Sequence, residues 1–64
     1  MNLTEWKKTN AVETLEQRGG AADDVYYWRA TKHRPTGGTS GFGTTEYEAC
    51  HALAGVLGVE PPEV

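Results

Sequence analysis

Three features are scarce in this sequence: cysteine, charge of one sign and long hydrophobic runs. Cys50 is the only cysteine, so a disulfide within the chain is excluded. No apolar run approaches the ~18 residues that a membrane-spanning helix needs. Residues 1–6 also lack the basic and then apolar pattern of a signal peptide. A free cysteine without an export signal predicts a protein of the reducing cytoplasm, with no membrane partner.

The charge is also modest. Nine acidic and six basic residues give a net charge of −3, which favours solubility. A mildly acidic chain exerts no long-range attraction on a phosphate backbone, and the carboxylates are not dense enough to mimic a nucleic acid. The charge therefore excludes few partners.

The length limits the protein to one domain. A chain of 64 residues buries only about 60% of its unfolded surface, and a single core of this size supplies about 3–5 kcal/mol. Natural domains this small often gain stability from a disulfide, a metal or a partner subunit. Because the first is excluded here, a homodimer is one of the outcomes that the length favours.

The clearest local prediction is an amphipathic helix from Thr45 to Gly58. Thr45 and Glu48 have the spacing of a capping box, and Gly58 stands where a left-handed stop is expected. Apolar residues recur between them at intervals that place them on one helix face: Tyr47, Cys50, Leu53, Ala54 and Leu57. The Pro-rich residues 60–64 predict a flexible tail, which leaves 1–59 as the domain.

The first part of the chain is also predicted to be helical. Good helix formers run from Leu3 to Arg18 and end before two glycines, with an interruption expected near Asn10. Asn2 with Glu5, and Asn10 with Glu13, both have capping-box spacing. The pattern therefore predicts a helix over most of this span.

A β-hairpin is predicted between the two helices. Residues 25–32 concentrate β-branched and aromatic side chains, 34–38 have turn chemistry, and 39–43 can return as a short Gly-rich strand. The predicted fold is a small α+β domain of α-β-β-α order, with an antiparallel hairpin packed against two helices.

The first strand of that hairpin carries the candidate site. Alternation places Tyr26, Trp28 and Ala30 on one face, which suits a core. The other face is an aromatic and basic row, and Tyr and Arg are residue types that dominate interface energies. Either this face is exposed as a contact surface, or a helix covers it and Tyr27 is simply packed. The predicted partner-binding residues are Tyr27, Arg29, Thr31, His33 and Arg34.

No pattern in the sequence predicts catalysis, a metal or a cofactor. Residues 38–45 have phosphate-loop spacing, but Thr44 stands where the lysine must be, so the glycines are interpreted as a strand-to-helix corner. Cys50 and His51 are adjacent on a helix and point about 100° apart, which prevents chelation. Cys50 is predicted to be a small buried hydrophobe, and Asp23 with Asp24 a solvated pair. An enzyme is not expected.

The C-terminal half resembles the end of a double-stranded-RNA-binding domain. The residues that carry the resemblance are Gly41, Gly43, Thr45, Ala49, 52–54 and Leu57, with a fainter similarity at 3–6. It implies an α-β-β-β-α order and a Gly-rich turn into an Ala-rich last helix. The family places lysines at the start of that helix to hold phosphates, where this chain has Glu46 and Tyr47. A carboxylate there would repel phosphate.

Two functions follow from these patterns. The first is a non-enzymatic interaction module, regulatory or inhibitory, of the size encoded by phages and compact bacterial genomes, with another protein as its partner. The alternative is nucleic-acid binding through Arg29, Lys32, His33 and Arg34, assisted by Lys7 and Lys8 if the first helix lies alongside.

Overall fold

A computed structural model describes residues 1–18, 26–34 and 37–63. Its elements are α1 (Leu3–Asn10), β1 (Val12–Arg18), β2 (Tyr26–Arg34), β3 (Gly37–Gly43) and α2 (Glu46–Leu57). The predicted α+β class is confirmed, as are the hairpin and the closing helix. The order is α-β-β-β-α, so the prediction missed one strand.

The missed strand lies in the segment that was predicted to continue the first helix. Asn2 caps α1 as expected, since its Oδ1 accepts a hydrogen bond from Glu5 N at 2.9 Å. The helix ends after Asn10, whose Nδ2 donates to the backbone oxygen of Trp6. Ala11 then adopts a left-handed conformation with φ of 54°. This turn redirects the chain into β1, and the prediction of a helix over 10–18 is therefore wrong.

The three strands form one antiparallel sheet in the order β1-β2-β3. Arg29 is the central residue of one cross-strand row, with Leu15 beside it on β1 and Phe42 beside it on β3. The hairpin strands are longer than predicted: β2 runs to Arg34 and β3 begins at Gly37. Residues 19–25, which include the predicted solvated pair of Asp23 and Asp24, and residues 35–36 of the turn lie outside the described residues.

Helix α2 packs closely on β3 and β2. A Cβ added to Gly41 would lie 2.5 Å from Leu53 N, and one added to Gly43 would lie 2.6 Å from Ala49 N. These glycines therefore allow the helix backbone to approach the strand. The core beneath α2 consists of Trp6, Val12, Ala30, Ala49, Cys50, Leu53 and Ala54.

The ends of α2 lie at the predicted residues, but only half of the predicted capping box forms, because Glu48 Oε2 accepts from Thr44 N and not from Thr45 N. Thr45 Oγ1 accepts a hydrogen bond from Glu48 N, and Gly58 takes the left-handed conformation with φ of 72°. Val59 N donates to Ala54 O at 3.1 Å, the 6→1 bond of a Schellman stop. The burial of Cys50 is also confirmed, and desolvation by that burial raises the pKa of its thiol to about 11. A thiol with this pKa is protonated at neutral pH and a poor nucleophile.

The last described residues run back across α1. Trp6 Nε1 donates to Glu60 O at 2.7 Å, Glu63 N donates to Met1 O at 2.8 Å, and Pro62 is buried. The buried indole thus has its hydrogen-bond acceptor in this segment. The flexibility predicted for 60–64 concerns motion and stays a prediction, and Val64 lies outside the described residues.

Candidate functional site

The sheet has one covered face and one open face. Strand alternation directs Ala30 and the glycines Gly41 and Gly43 toward α2. The neighbouring residues along each strand point to the opposite face of the sheet, and no described element packs against that face. We call this surface the open face; it comprises Glu13, Leu15, Tyr27, Arg29, Thr31, His33, Ser40 and Phe42.

A chain of hydrogen bonds fixes the centre of the open face. Arg29 Nε donates to Thr31 Oγ1 at 3.2 Å, and Thr31 Oγ1 lies 3.1 Å from Ser40 Oγ. Thr31 is buried while Arg29 is exposed. Thr31 and Ser40 therefore hold the Arg29 side chain against the sheet. The terminal guanidinium nitrogens have no hydrogen-bond or ion-pair partner within the described residues.

Apolar side chains flank this guanidinium on both sides. Leu15 is 60% exposed and Phe42 is 56% exposed, and each is the direct cross-strand neighbour of Arg29. The Tyr27 ring lies against Phe42 with 6.0 Å between ring centroids and 54° between ring planes. This tilted contact is a favourable arrangement for aromatic rings. The result is one exposed cation within an apolar strip that crosses the sheet.

A shallow depression of about 260 Å³ adjoins the strip, lined by Glu13, Thr14, Leu15, Arg29, Thr31 and His33. His33 Nε2 and Glu13 Oε2 stand 3.5 Å apart at its rim, and both side chains are exposed. An exposed pair of this kind contributes little to stability. Glu13 therefore faces His33, whereas Arg29 forms no ion pair with a carboxylate of the described residues.

The structure brings four of the five predicted site residues together. Tyr27, Arg29, Thr31 and His33 share the open face, with Arg29 and His33 exposed and Tyr27 half-buried. Arg34 ends β2 opposite Gly37, and its side chain lies outside the described residues.

Two prominent residues of the open face were not predicted, Leu15 and Phe42. Leu15 was assigned to a helix, so its place beside Arg29 could not be inferred. Phe42 was placed on a strand, but its alignment with Arg29 depends on the hairpin register. No alternation signalled the place of Leu15, because Val12 and Leu15 are three residues apart and the two residues between them are both polar.

The basic residues proposed for nucleic-acid binding are divided. Alternation places Lys32 on the helix side of β2, where it is half-buried, and away from Arg29 and His33. Lys7 is ion-paired with Glu46 on α2, with Nζ 3.0 Å from Oε2. Among the described side chains, Lys7, Arg29 and Lys32 therefore do not form one continuous patch.

Glu46 is anchored from two sides at the start of α2. Thr14 Oγ1 donates to its Oε2 at 2.6 Å, and the Lys7 ammonium binds the same oxygen. The Thr14 hydrogen bond, assisted by Lys7, holds the pKa of Glu46 below its usual value although partial burial opposes this. The carboxylate is therefore ionised at neutral pH. It joins α1, β1 and α2 and places a negative charge at the start of α2.

Other kinds of site find no support in the described part of the chain. No three His, Cys, Asp or Glu side chains come together there in a way that could hold a metal ion. Cys50 is buried whereas His51 is exposed, so the two diverge as their spacing predicts. No described helix is long and apolar enough to cross a membrane.

The fold and the open face together define a small α+β domain in which one sheet surface is covered by none of the described elements. Comparison with family models, with curated proteins and with solved structures finds no match to this chain.

Proposed function

We propose that this protein is a non-enzymatic interaction module that binds another protein through the open face. The observation that carries the proposal is the row Leu15, Arg29 and Phe42, in which an exposed arginine lies between two large exposed apolar side chains. Exposed apolar surface of this kind is a mark of interaction sites. Arginine and aromatic residues supply most of the energy at such sites. A regulatory or inhibitory role in the cytoplasm is the setting that the size and composition favour.

The test is capture of a partner from the native host by the tagged protein. The variant with Tyr27→Ala and Arg29→Ala is expected to lose the partner, because it removes an aromatic anchor and the central cation. Its free energy of unfolding should stay within about 2 kcal/mol of the parent, since the variant loses the Tyr27–Phe42 ring contact and the Arg29–Thr31 hydrogen bond, while Thr31 keeps its bond to Ser40.

The matched control carries Thr4→Ala and Lys8→Ala, two exposed positions on α1. It should retain both the partner and the stability. Retention of the partner by the Tyr27 and Arg29 variant would refute the proposal. Loss of folding in that variant would show that the face is structural, which also refutes it.

Nucleic-acid binding is the second candidate, and the α-β-β-β-α order supports it because the double-stranded-RNA-binding resemblance implies that order. The divided cations and the anchored Glu46 weigh against it. Binding to a duplex that weakens steeply with added salt would support this candidate. The absence of any complex with duplex RNA or DNA at low salt and micromolar protein would remove it.

A further inference from the structure

The surroundings of Arg29 indicate what the partner presents. We propose that the open face receives an aspartate or glutamate side chain of the partner protein at the guanidinium of Arg29, with the partner's adjoining apolar side chains on Leu15 and Phe42. This inference rests on the proposed function and adds the chemistry of the ligand to it.

The geometry of the guanidinium is the first argument. Its Nε is bound to Thr31 Oγ1 at 3.2 Å, and Thr31 is in turn held by Ser40. The side chain is thus oriented before a ligand arrives, and less conformational freedom is lost on binding. The two terminal nitrogens, which have no partner within the described residues, form a fork that matches the two oxygens of a carboxylate.

Charge complementarity is the second argument. Glu13 Oε2 lies 3.5 Å from His33 Nε2, whereas Arg29 takes part in none of the ion pairs within the described residues. Among the described residues of the face, the Arg29 guanidinium is therefore the group that is open to pair with a carboxylate of a partner. A nucleic acid would bring a row of phosphates, and the described residues of this face include no row of cations to meet it.

The apolar neighbours are the third argument. Leu15 and Phe42 are both more than half exposed and stand on either side of Arg29. A ligand that covers them excludes water from the guanidinium, and an ion pair strengthens as its surroundings lose water. A carboxylate with apolar neighbours therefore fits this strip better than a small inorganic anion.

Phenylacetate is a suitable probe because it combines a carboxylate with an apolar ring, and phenylacetamide is its uncharged counterpart of nearly the same shape. The measurement is an NMR titration of the full chain at pH 7, observed at the Arg29 Nε–H, the Leu15 methyl groups and the Phe42 ring. Phenylacetate should cause saturable shifts at all three in the millimolar range expected for so small a ligand. Phenylacetamide should bind at least about tenfold more weakly, since it lacks the charge.

The variant Arg29→Met keeps much of the aliphatic stem and removes the charge. It should lose the phenylacetate shifts while its backbone amide spectrum away from the open face stays that of the parent. Equal binding of phenylacetamide would overturn the proposal, as would phenylacetate shifts that persist in Arg29→Met. An absence of saturable shifts up to the solubility of the probe would overturn it too.

The experiment must also distinguish a partner's carboxylate from a second copy of the chain bound to the open face. Shifts at Leu15 and Phe42 that grow with protein concentration without any probe, and vanish in Arg29→Met, would overturn the proposal in favour of self-association.

Failure of the carboxylate proposal can be distinguished from failure of the proposed function. If the Tyr27 and Arg29 variant loses the captured partner but phenylacetate never binds at Arg29, the interaction module stands and the carboxylate chemistry falls. If phenylacetate binds at Arg29 while that variant still captures the partner, the proposed function falls, and the inference that depends on it falls as well.

Discussion

At the scale of single residues, two of the four glycines of β3 set the distance between the helix and the sheet. Sequence reasoning interpreted the glycines of residues 38–45 as a strand-to-helix corner, but it did not single out Gly41 and Gly43 as the points where α2 approaches β3. In the structure they remove the atoms that would otherwise hold α2 away from the sheet. Only the contact between helix and strand reveals this role, because it depends on residues 49 and 53, far along the chain.

Substitution of Gly41 by alanine tests that role. The new Cβ would lie 2.5 Å from Leu53 N and 2.8 Å from Ala49 O. These are backbone atoms, so the helix must move as a whole. Gly41→Ala should therefore lower the free energy of unfolding by about 1–3 kcal/mol or more, measured by urea denaturation.

The same substitution at Gly55 is the matched control. Gly55 lies within α2, and nothing stands within 4 Å of an added Cβ. Gly55→Ala should raise the free energy of unfolding by about 0.5–1 kcal/mol, because alanine restricts the unfolded chain. If Gly41→Ala proved as stable as the parent, the close approach of α2 to β3 would not be a feature of the folded protein.

The site itself was partly predictable at this scale. Alternation along one strand is a local property, so the grouping of Tyr27, Arg29, Thr31 and His33 followed from the sequence. The apolar flanks did not, because Leu15 and Phe42 reach Arg29 only through strand register. Register depends on which chain segments pair, and this information lies outside any local window.

At the scale of secondary-structure elements, α2 was predicted with both ends correct and residues 10–18 were assigned the wrong structure. The α2 prediction succeeded because cap, apolar stripe and stop are all local signals. In residues 10–18, Glu13, Glu16 and Gln17 are good helix formers, and Asn10 with Glu13 imitates a capping box. Pairing with β2 along the whole length of β1 overrides that preference.

The junction between α1 and β1 supplies a test at this scale. Ala11 has φ of 54°, a left-handed conformation that costs a non-glycine residue about 1–2 kcal/mol. Ala11→Gly removes this cost, although the greater freedom of glycine in the unfolded chain offsets about 0.5–1 kcal/mol of it. The variant should therefore be more stable than the parent by about 0.5–1 kcal/mol in urea denaturation.

The exposed Ala52, in the interior of α2, is the control for that test. Ala52→Gly should lower the stability by about 1 kcal/mol, since its conformation is ordinary helix. A loss of stability in Ala11→Gly similar to that in Ala52→Gly would mean that Ala11 is not left-handed and that the helix continues into residues 12–18.

At the scale of the whole molecule, the two edges of the sheet differ in their protection. The β1 edge carries Glu13 and Glu16, and charges on an edge strand discourage pairing with another chain. The β3 edge, Gly37–Gly43, carries no charge and no proline. On α2, which packs on this strand, Val56 follows Leu53 by one turn and is 66% exposed. These features favour β3 as the edge at which two copies would pair.

Sedimentation of the protein at micromolar concentration tests this pairing, and a dimer is the expected result. Gly38 offers a position for a disrupting charge, because an added Cβ would lie no closer than 3.6 Å to its neighbours, an ordinary contact. Gly38→Lys should shift the protein to a monomer, since each copy would bring a positive charge to the shared edge. Thr4→Lys, which adds the same charge on the exposed surface of α1, should remain dimeric. A clean monomer for the parent chain would rule out the dimer, and a dimer that persists in Gly38→Lys would place the interface elsewhere than on β3.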